Sequence, residues 1–535
     1  MQEVSESWKN THKKSLLNES FVELSLDVTD PDASKGVIPA DNGGANYISN
    51  SSSLLGEYVN PSPYCTLEQN LWCLDGKREP VPTSNSPLNG YVSDVLSDDT
   101  CVFSSKLPVI TLDLPAIRVK LIPGITITWS ETYDEFADTF EVVAYNGDTI
   151  VATKEVTQNR SVKTIVFVDI KVYDRIDIII KKWCLPNHRA RVEKIVIGLN
   201  KVYGKADLFS YSHSQSVDPI STSLPKSEIK FSLDNTNGEY NPYNITGIAK
   251  YLMEKQELKV RYGLKLDNGS VEWIKGGTFY LSEWYAKQNG LTAEFTARDI
   301  FEFLSDTYSA PTSYISLYDR AYDILSTATL PSDVKWEIDE SLKNIYNYAP
   351  TPEDTRANCL QLIANAGMCA MYQDREGTLH IKRLSDETSN DNDYKIDSFN
   401  SYSKSEVTLS KPIRGIKVIG YRYNDDGSLY GSIEHYLPVG DGNNGEIITI
   451  DNPLITFTYL DGDILMGQLE SMAEWLATHL SHRMTLDSSW RADVRLDALD
   501  IVKNENDYAN NRVRVTDVEF KYNGAFRGTA KGKVI

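Results

Sequence analysis

Apolar and polar side chains alternate along much of this chain. In the stretch SEIKFSLD, Ile229, Phe231 and Leu233 fall on one side of the backbone, and Lys230 and Ser232 fall on the other. A period of two is typical of a β-strand that buries one face. The same pattern predicts further strands at residues 21–28, 109–114, 117–122, 125–129, 140–145, 149–156, 164–170, 175–183, 191–199, 257–266, 271–276, 277–284 and 291–299, and in EVTLS, IRGIKVIGYRY, RADVRLDALDIVKN and NRVRVTDVEFKYNGAFRGTAKGKVI. The predicted fold class is therefore mainly β.

Turn residues separate these strands. NGD at 146–148, DNG at 267–269, QNG at 288–290 and the Asp-Asp-Gly of 425–427 are predicted hairpin turns, because Asn and Gly tolerate the positive φ that tight turns need. A further hairpin is predicted around residues 374–377.

The strand at 229–233 ends in the corner DNTNGEYNP. A calcium loop needs Gly at its sixth position and Glu at its twelfth, but counting from Asp234 Gly falls fifth and Ile245 falls twelfth. Asp and Asn side chains bond their own backbone and tolerate unusual φ, so the corner is predicted to be a turn without a metal ion.

A few segments have helical periodicity instead. Residues 316–328 have Ser316 as a cap with Asp319 three residues later, and residues 351–367 have Pro352 at the start and Gly367 at the end. The other predicted helices are a short polar one within 1–20, a short one at 247–255 and a long one at 463–484.

The spacing of strands and helices divides the chain into several domains. Strands follow one another regularly from 109 to 199 with almost no helical periodicity, which is typical of a β-sandwich. A compact antiparallel sheet that closes into a barrel is predicted after residue 200. The predicted division is 1–45 (helix and first strand), 46–200 (inserted sandwich), 201–310 (first barrel), 311–385 (small α/β domain) and 386–535 (second barrel with the long helix).

Composition narrows the class of partner. The net charge of −21 over 535 residues makes general nucleic-acid binding unfavourable. The same charge suits an acidic wall that DNA slides past, or solubility alone. No apolar run is long enough to span a membrane and residues 1–20 show no secretory signal. The six cysteines form no CxxC and are expected to be mostly reduced, with a Cys65–Cys73 bridge left open.

Signatures of catalysis and of metal or cofactor binding are missing. Cys184 and His188 are four residues apart, but a zinc site needs two more ligands and none stands nearby. Asp493, Asp497 and Asp500 lie close together as glycosidase carboxylates do, yet such groupings are expected by chance among 75 acidic residues. We therefore predict no catalytic, cofactor-binding or metal-binding residue.

Four ordered segments carry a resemblance to a known family. SEIKFSLDNTNGEYNPYN, VRYGLKLDNGSVEWIKGGTFYLSEW and LTAEFTARDIFEFL contain, in order, an LDN corner, a YG strand, a GTFY strand and a TARD strand. They resemble the baseplate hub, or tail-associated, proteins of long-tailed phages and of phage-derived tail particles of Gram-positive bacteria. RANCLQLIANAGMCAMYQDREGTLHIKRL resembles the middle domain of these proteins, and DNPLIT, RADVRLDALDIV and VTDVEFKYNGAFRGTAKG resemble the closing domain.

The resemblance covers residues 1–45 and 200–535 and implies an assembly role. It implies tube-like β-barrel hub domains, a homotrimer that continues the tail tube, and no enzymatic activity. The implied partners are tail-tube and distal tail proteins, the tape-measure protein and fibre or receptor-binding proteins, with DNA only as cargo. The implied location is a virion tail or tail-like particle that is assembled in the host bacterial cytoplasm.

The insert resembles a different family. TLEQNLWCLDGKREP, VITLDLP, ITITWSETYDEFADTFEVVAYNGD and YDRIDIIIKKWCLPNHRARVEKIVIG resemble a discoidin or galactose-binding-like sandwich, whose binding loops gather at one end. Sugar contact is then expected from exposed aromatic and basic side chains, namely Trp72, Trp183, His188, Arg189 and Arg191. The alternatives are that Trp72 and Trp183 are core residues and that the insert docks neighbouring tail proteins.

Three functions follow from these resemblances. The favoured one is the structural hub. The second is a receptor-binding or carbohydrate-binding tail protein that acts through residues 46–200. The third is a tail-associated cell-wall hydrolase, for which the sequence offers no nucleophile or metal set.

Overall fold

Strands make up 52% of the computed structural model, which confirms the mainly β, multidomain fold class. The described residues are 1–14, 18–28, 33, 36–41, 54–55, 64–65, 79–80, 90–244, 247–287, 290–309, 315–331, 334–385, 395–440, 445–460, 463–465, 467–505 and 509–535. The chain forms two compact units. Unit 1 contains Met1–Leu24, Tyr203–Gly247 and Leu258–Ile535, and unit 2 contains Ser25–Val202 and Ile248–Glu257.

The secondary structure consists mostly of short strands. The strands are β1 (Ser20–Val28), β2 (Ile38–Asp41), β3 (Tyr64–Cys65), β4 (Glu79–Pro80), β5 (Tyr91–Leu96), β6 (Val109–Arg118), β7 (Ile122–Thr128), β8 (Ala137–Asn146), β9 (Thr149–Val156), β10 (Lys163–Ile170), β11 (Tyr173–Trp183), β12 (Arg189–Val192), β13 (Lys194–Val196), β14 (Leu199–Tyr203), β15 (Leu208–Ser216), β16 (Lys226–Asp234), β17 (Glu257–Lys265), β18 (Val271–Ala286), β19 (Thr292–Arg298), β20 (Thr307–Tyr308), β21 (Ile315–Ser316), β22 (Trp336–Ile338), β23 (Tyr346–Asn347), β24 (Asp354–Thr355), β25 (Ala370–Gln373), β26 (Leu379–Lys382), β27 (Lys395–Ile396), β28 (Glu406–Leu409), β29 (Ile413–Tyr423), β30 (Leu429–Pro438), β31 (Glu446–Thr456), β32 (Thr458–Leu460), β33 (Asp463–Leu465), β34 (Met484–Trp490), β35 (Ile501–Glu505), β36 (Asn510–Tyr522) and β37 (Phe526–Val534). The helices are α1 (Glu6–His12), α2 (Leu317–Ser326), α3 (Arg356–Ala366) and α4 (Gly467–Ser481), with 3₁₀ turns at Ile248–Tyr251, Ile300–Leu304 and Glu340–Asn344.

Unit 2 contains a β-sandwich. One sheet has the order β2-β6-β11-β8-β9, and the other has the order β10-β7-β13. Inward side chains of both sheets meet in one apolar core that includes Ile110, Ile125, Phe140 and Ile178, all of them fully buried. The predicted NGD turn joins β8 to β9, with Gly147 at φ 58°.

Unit 1 contains one long sheet. From β1 onward its strands follow the order β1-β17-β18-β19-β16-β15-β36-β37-β34-β28; β35 also pairs with β36, and β27 pairs with β35. Strands predicted for the first hub domain and for the second hub domain therefore share this sheet, because β15 pairs with β36 from Tyr211↔Tyr522 to Ser216↔Asp517. The finer division into five domains stays a prediction.

Helices α2 and α3 and the β25–β26 hairpin share one apolar core in unit 1. Ser316 caps α2 as predicted, since its hydroxyl accepts a hydrogen bond from the backbone N–H of Asp319 at 3.1 Å. The predicted hairpin around 374–377 joins β25 to β26. Helix α4 packs its buried Leu469, Met472 and Leu476 into the same core, next to the sheet β30-β29-β31.

The structure corrects several predicted boundaries. Helix α3 begins at Arg356 with Thr355 as its cap, and not near Pro352, because residues 354–355 pair with residues 307–308. The long helix covers only Gly467–Ser481, since 463–465 form a strand, and the signal at 247–255 is a 3₁₀ turn. Strands predicted at 271–276 and 277–284 are the single strand β18.

Two further corrections concern unit 2 and the first helix. The strand predicted at 191–199 is split among β12, β13 and β14, and the first helix covers only residues 6–12 of the predicted 1–20. The predicted turn at 288–290 and residue Cys73 lie wholly or partly outside the described residues. Across the described ranges, no helix has both the length and the apolar character that crossing a membrane requires.

Candidate functional site

Three of the predicted sugar-contact residues meet around one buried carboxylate in unit 2. Glu135 Oε2 accepts hydrogen bonds from Trp183 Nε1 at 2.9 Å and from Arg191 Nη1 at 3.0 Å. Glu135 Oε1 lies 3.1 Å from Nδ1 of His188. Glu135 was not among the site residues predicted from the sequence, although it lies between the largely polar segment 130–134 and the strand predicted at 140–145.

Local backbone pairing brings these side chains together. Trp183 ends β11, and its N–H donates to the carbonyl of Cys101 at 2.8 Å. Ser130 and Glu135 exchange two backbone hydrogen bonds of 3.0 and 3.1 Å, which close a short loop before β8. The carbonyl of His188 accepts from Ser97 N–H at 2.9 Å. These hydrogen bonds bring three loops together around Glu135.

The exposure expected for these residues is wrong for three of them. Trp183, His188 and Arg191 are buried, and the Trp183 ring packs edge-on against Trp129 with centroids 6.0 Å apart. Burial of the arginine is tolerated because Glu135 supplies the opposite charge. The alternative that Trp183 is a core residue is therefore confirmed.

The remaining two sugar-contact candidates differ from these three. Arg189 is half-buried, and its Nη1 donates to the carbonyl of Ser93 at 2.8 Å. Trp72 lies outside the described residues. Sugar binding by any of the five residues stays a prediction.

The charge of Glu135 is maintained by its partners. Burial acts to raise the pKa of Glu135, but the hydrogen bond from His188 and the charge of Arg191 outweigh it, so the pKa is lowered. Burial raises the pKa of the Cys184 thiol to about 11. Its sulfur accepts from Phe136 N–H at 3.3 Å. Cys184 and His188 are thus engaged by protein groups, and no cluster of three or more metal-ligating side chains occurs among the described residues.

The three clustered aspartates of unit 1 are also engaged by protein groups. Asp493 pairs with Arg495 at 2.7 Å, and Asp497 pairs with Arg375 at 2.7 Å. Asp500 accepts from the amino group of Met1 at 2.5 Å. Each of the three carboxylates therefore has a cationic partner within the protein, and ion pairing explains why they lie where they do.

The corner after β16 is a series of side-chain turns. Asp234, Asn237 and Asn241 each accept a hydrogen bond from the backbone N–H two residues later, at 3.0 Å in every case. Asn235 accepts from Tyr240 N–H at 3.0 Å, and Gly238 adopts φ 68°. These bonds account for the Asp, Asn and Gly residues of the corner without a metal ion.

Unit 1 contains a buried polar network that was not predicted from the sequence. His213 Nδ1 lies 2.9 Å from the hydroxyl of Tyr262, which lies 2.8 Å from the hydroxyl of Tyr211. Nε2 of His213 lies 3.1 Å from the hydroxyl of Ser227. Burial, and then the charge of Arg375, lower the pKa of His213 to about 3, so the ring is neutral. The sequence does contain a signal for this network, because Tyr211 and His213 alternate with serines along β15 and both face inward.

This network continues to the end of β19. The carboxylate of Asp299 accepts from Ser227 N–H at 2.7 Å and from Phe301 N–H at 3.2 Å, which caps the following 3₁₀ turn. Burial raises the pKa of Asp299 to about 7. Asp299 also borders a cavity of about 460 Å³ whose lining includes Arg375 and Asp497.

Comparison with known proteins gives structural matches of low similarity. The chain is similar to the 43 kDa tail protein of prophage MuSo2 from Shewanella oneidensis, at 11% identity and a TM-score of 0.41, over 62% of this chain and 95% of that one. It is similar to a tail protein from Neisseria meningitidis at 12% identity and a TM-score of 0.41, over 63% and 94%. It is also similar to the prophage tail protein gp18 from Listeria monocytogenes at 12% identity and a TM-score of 0.37, over 63% and 91%.

No protein-family model matches the chain, and no curated protein matches it. At the TM-scores of the structural matches, the likeness decides neither the fold nor the function of this chain.

Proposed function

We propose that this chain is a structural hub of a phage tail or phage-derived tail particle. It trimerises, caps the tail tube and connects the tube to distal tail, tape-measure and fibre proteins. The observation that carries the proposal is the placement of the four family-like segments. The YG and GTFY segments lie in β17 and β18, and the TARD and LDN segments lie at the ends of β19 and β16; these are four neighbouring strands of one sheet.

Residues of these segments hold the four strands in register. Tyr262 of the YG segment contributes its hydroxyl to the buried network, and Asp299 of the TARD segment binds the first residues of β16. Arg298 bridges the strands from the polar face, since its Nε and Nη2 lie 3.2 Å from Glu228 and Glu283 respectively. These contacts give the sheet a fixed geometry, which supports a role in assembly.

The charge of the chain supports passage of DNA as cargo that does not bind. A net charge of −21 repels phosphates. Purified protein is therefore expected to retain no double-stranded DNA in a filter-binding assay at low ionic strength, where electrostatic attraction is strongest. Retention that disappears on adding salt would contradict this part of the proposal.

The mass of the purified full chain tests the hub proposal. A trimer has three times the chain mass of 60.2 kDa, and averaged electron micrographs are expected to show a ring with threefold symmetry. Mixing with the tail-tube protein of the same particle is expected to add a stable complex. A monomer at all concentrations, with no complex, would overturn the proposal.

A second function, carbohydrate binding by unit 2, is favoured by the gathering of three loops around Glu135. Tyr133 lies in one of these loops, and the guanidinium carbon of Arg191 lies 5.4 Å from the centre of its ring. A glycan array probed with the full chain tests this proposal, with Arg189→Ala as the variant and the exposed Arg160→Ala as the control. Binding that Arg189→Ala weakens supports it, and an array without hits contradicts it.

A further inference from the structure

Strand β28 is an open edge of the long sheet of unit 1. It is the last strand in the order and pairs on one side only, with β34, from Glu406↔Asp487 to Leu409↔Met484. No described strand lies on its other side, and all four of its residues are exposed. An edge strand presents unpaired backbone N–H and C=O groups, which form a template for a further strand.

The register shows which backbone groups of β28 are unpaired. Ser410 N–H donates to the carbonyl of Arg483 at 2.9 Å, so Leu409 and Met484 form a pair without hydrogen bonds between them. Such pairs alternate along an antiparallel ladder, so Val407 has the same position two residues earlier. The N–H and C=O groups of Val407 and Leu409 therefore point away from β34.

The apolar face of the sheet continues onto β28 beyond the part that is covered. Leu486 of β34 is 1% exposed, whereas Val407 directly opposite it is 58% exposed. Leu409 is 61% exposed and lies opposite Met484, which is 37% exposed. Residues opposite each other in a sheet share one face, so all four belong to the side that faces the core. A further strand with apolar residues on this face would cover Val407 and Leu409.

The opposite face carries a pattern of charges that lacks a cation at its end. Asp517, Lys531 and Asp487 lie opposite one another in turn on β36, β37 and β34, so their charges alternate. Glu406 of β28 comes next, which places two carboxylates opposite each other, an arrangement that destabilises a sheet. Glu406 has no ion-pair partner among the described residues, and Lys404 two residues earlier is engaged elsewhere.

We propose that β28 binds an extended strand of a different protein in antiparallel orientation, with Lys or Arg opposite Glu406 and apolar residues opposite Val407 and Leu409. The main chain supplies the hydrogen bonds, and the alternate side chains supply the specificity. Glu406 then lies in a pair without hydrogen bonds, in which opposite side chains are closest. A carboxylate on a short edge strand and the net charge of −21 both disfavour a second copy as the partner. The inference goes beyond the proposed hub role and does not depend on trimerisation.

Titration of a fluorescent peptide with the full chain tests the proposal. The probe is a short peptide with blocked ends in which valine and lysine alternate. One comparison peptide has glutamate in place of lysine, and the other carries methyl groups on its backbone nitrogens. We expect fluorescence anisotropy to show saturable binding of the valine–lysine peptide only. Absence of binding, or equal binding of either comparison peptide, overturns the proposal.

Two variants locate the binding strand. Val407→Pro removes an outward N–H and no bond to β34, which an edge strand tolerates, and is expected to weaken binding about fivefold. Glu406→Lys is expected to weaken binding of the valine–lysine peptide by about fivefold or more and to admit the valine–glutamate peptide. The matched control is Glu353→Lys, which changes the net charge equally at an exposed residue before α3. A control that weakens binding as much as Glu406→Lys overturns the proposal.

Hydrogen exchange at single amides shows where the peptide lies. The outward amides of Val407 and Leu409 are expected to gain protection when the valine–lysine peptide binds. The amides of Glu406 and Thr408 already bond to β34 and are expected to change little. Protection that appears only outside β28 overturns the proposal. Protection of the two outward amides that rises with the concentration of the chain alone assigns the edge to a second copy, and overturns it as well.

Discussion

Replacing Arg375 with Met tests whether the buried ion pair holds the β25–β26 hairpin to the rest of unit 1. The guanidinium is almost fully buried. It donates to Asp497 at 2.7 Å and to the carbonyls of Lys275, Val494 and Leu496 at 2.9, 2.7 and 3.0 Å. Methionine has a similar volume but no donor, so one carboxylate and three carbonyls lose their partner.

The magnitude follows from the burial of the two partners. Breaking a buried ion pair by removing one partner costs about 3–5 kcal/mol. The Asp497 side chain remains 21% exposed, so water can solvate part of its charge after the change. We therefore expect a loss of about 3 kcal/mol, at the lower end of that range.

Native-state hydrogen exchange measures this loss locally. Amides of 370–382 and 494–501 are expected to lose about a hundredfold in protection, since each factor of ten corresponds to about 1.4 kcal/mol. The matched control is Arg527→Met, because Arg527 is exposed on β37. In a double-mutant cycle, Arg375→Met/Asp497→Asn is expected to cost less than the sum of the single changes. Protection in Arg375→Met no lower than in Arg527→Met would refute the reasoning.

Three further predictions concern single side chains. Glu135→Gln is expected to make the free energy of unfolding of unit 2 less dependent on pH under acidic conditions. The pKa of Glu135 in the folded state lies below its usual value of 4.5. The charged Glu135 therefore stabilises unit 2 above pH 4.5, and this stabilisation is lost as the pH falls through the folded-state pKa. Urea unfolding at several pH values measures the effect, and an equal pH dependence of stability in both proteins would contradict it. Ser316→Ala is expected to cost about 1 kcal/mol through loss of the cap of α2, measured by exchange of the first-turn amides, whereas exposed Ser326→Ala has no effect of that size. Gly277→Ala is expected to cost about 2 kcal/mol, since φ is 133° and the new Cβ would lie 2.8 Å from the Phe279 ring. Gly147→Ala, with φ 58° and open space, is expected to cost only about 1 kcal/mol in thermal unfolding; equal costs would contradict the steric argument.

Several strands were predictable from the sequence, including β9, none of whose residues is buried. Strand β9 was predicted with the bounds that the structure shows, and β1, β11 and β17 to within two residues at each end. The alternation was misleading at 117–122, where Ile117, Val119 and Leu121 alternate with Arg118 and Lys120. There the sequence predicts a second strand, but the structure has the end of β6 and an exposed segment before β7.

Contacts between distant segments were not predictable by the same reasoning. The pairing of β15 with β36 joins residues on either side of the small α/β region, and alternation carries no information about partner choice. The start of α3 was misplaced because Pro352 and the acidic residues after it fit a first helical turn equally well, while residues 354–355 are drawn into a short strand pair. Glu135 was missed because a carboxylate in a loop normally faces water.

The polar groups in the core of unit 1 bear most directly on the proposed hub role. Apolar contacts are non-directional and tolerate small shifts between strands, whereas hydrogen bonds of fixed length do not. The bonds from His213 to Tyr262 and Ser227, and from Ser227 to Asp299, connect β15, β16, β17 and the end of β19. A shift of one residue in any of these strands would leave a buried donor or acceptor unpaired, which costs about 1–3 kcal/mol for each group. The proposed hub role would account for these inward polar side chains, because a sheet that matches identical copies around a ring needs a fixed register more than it needs additional stability.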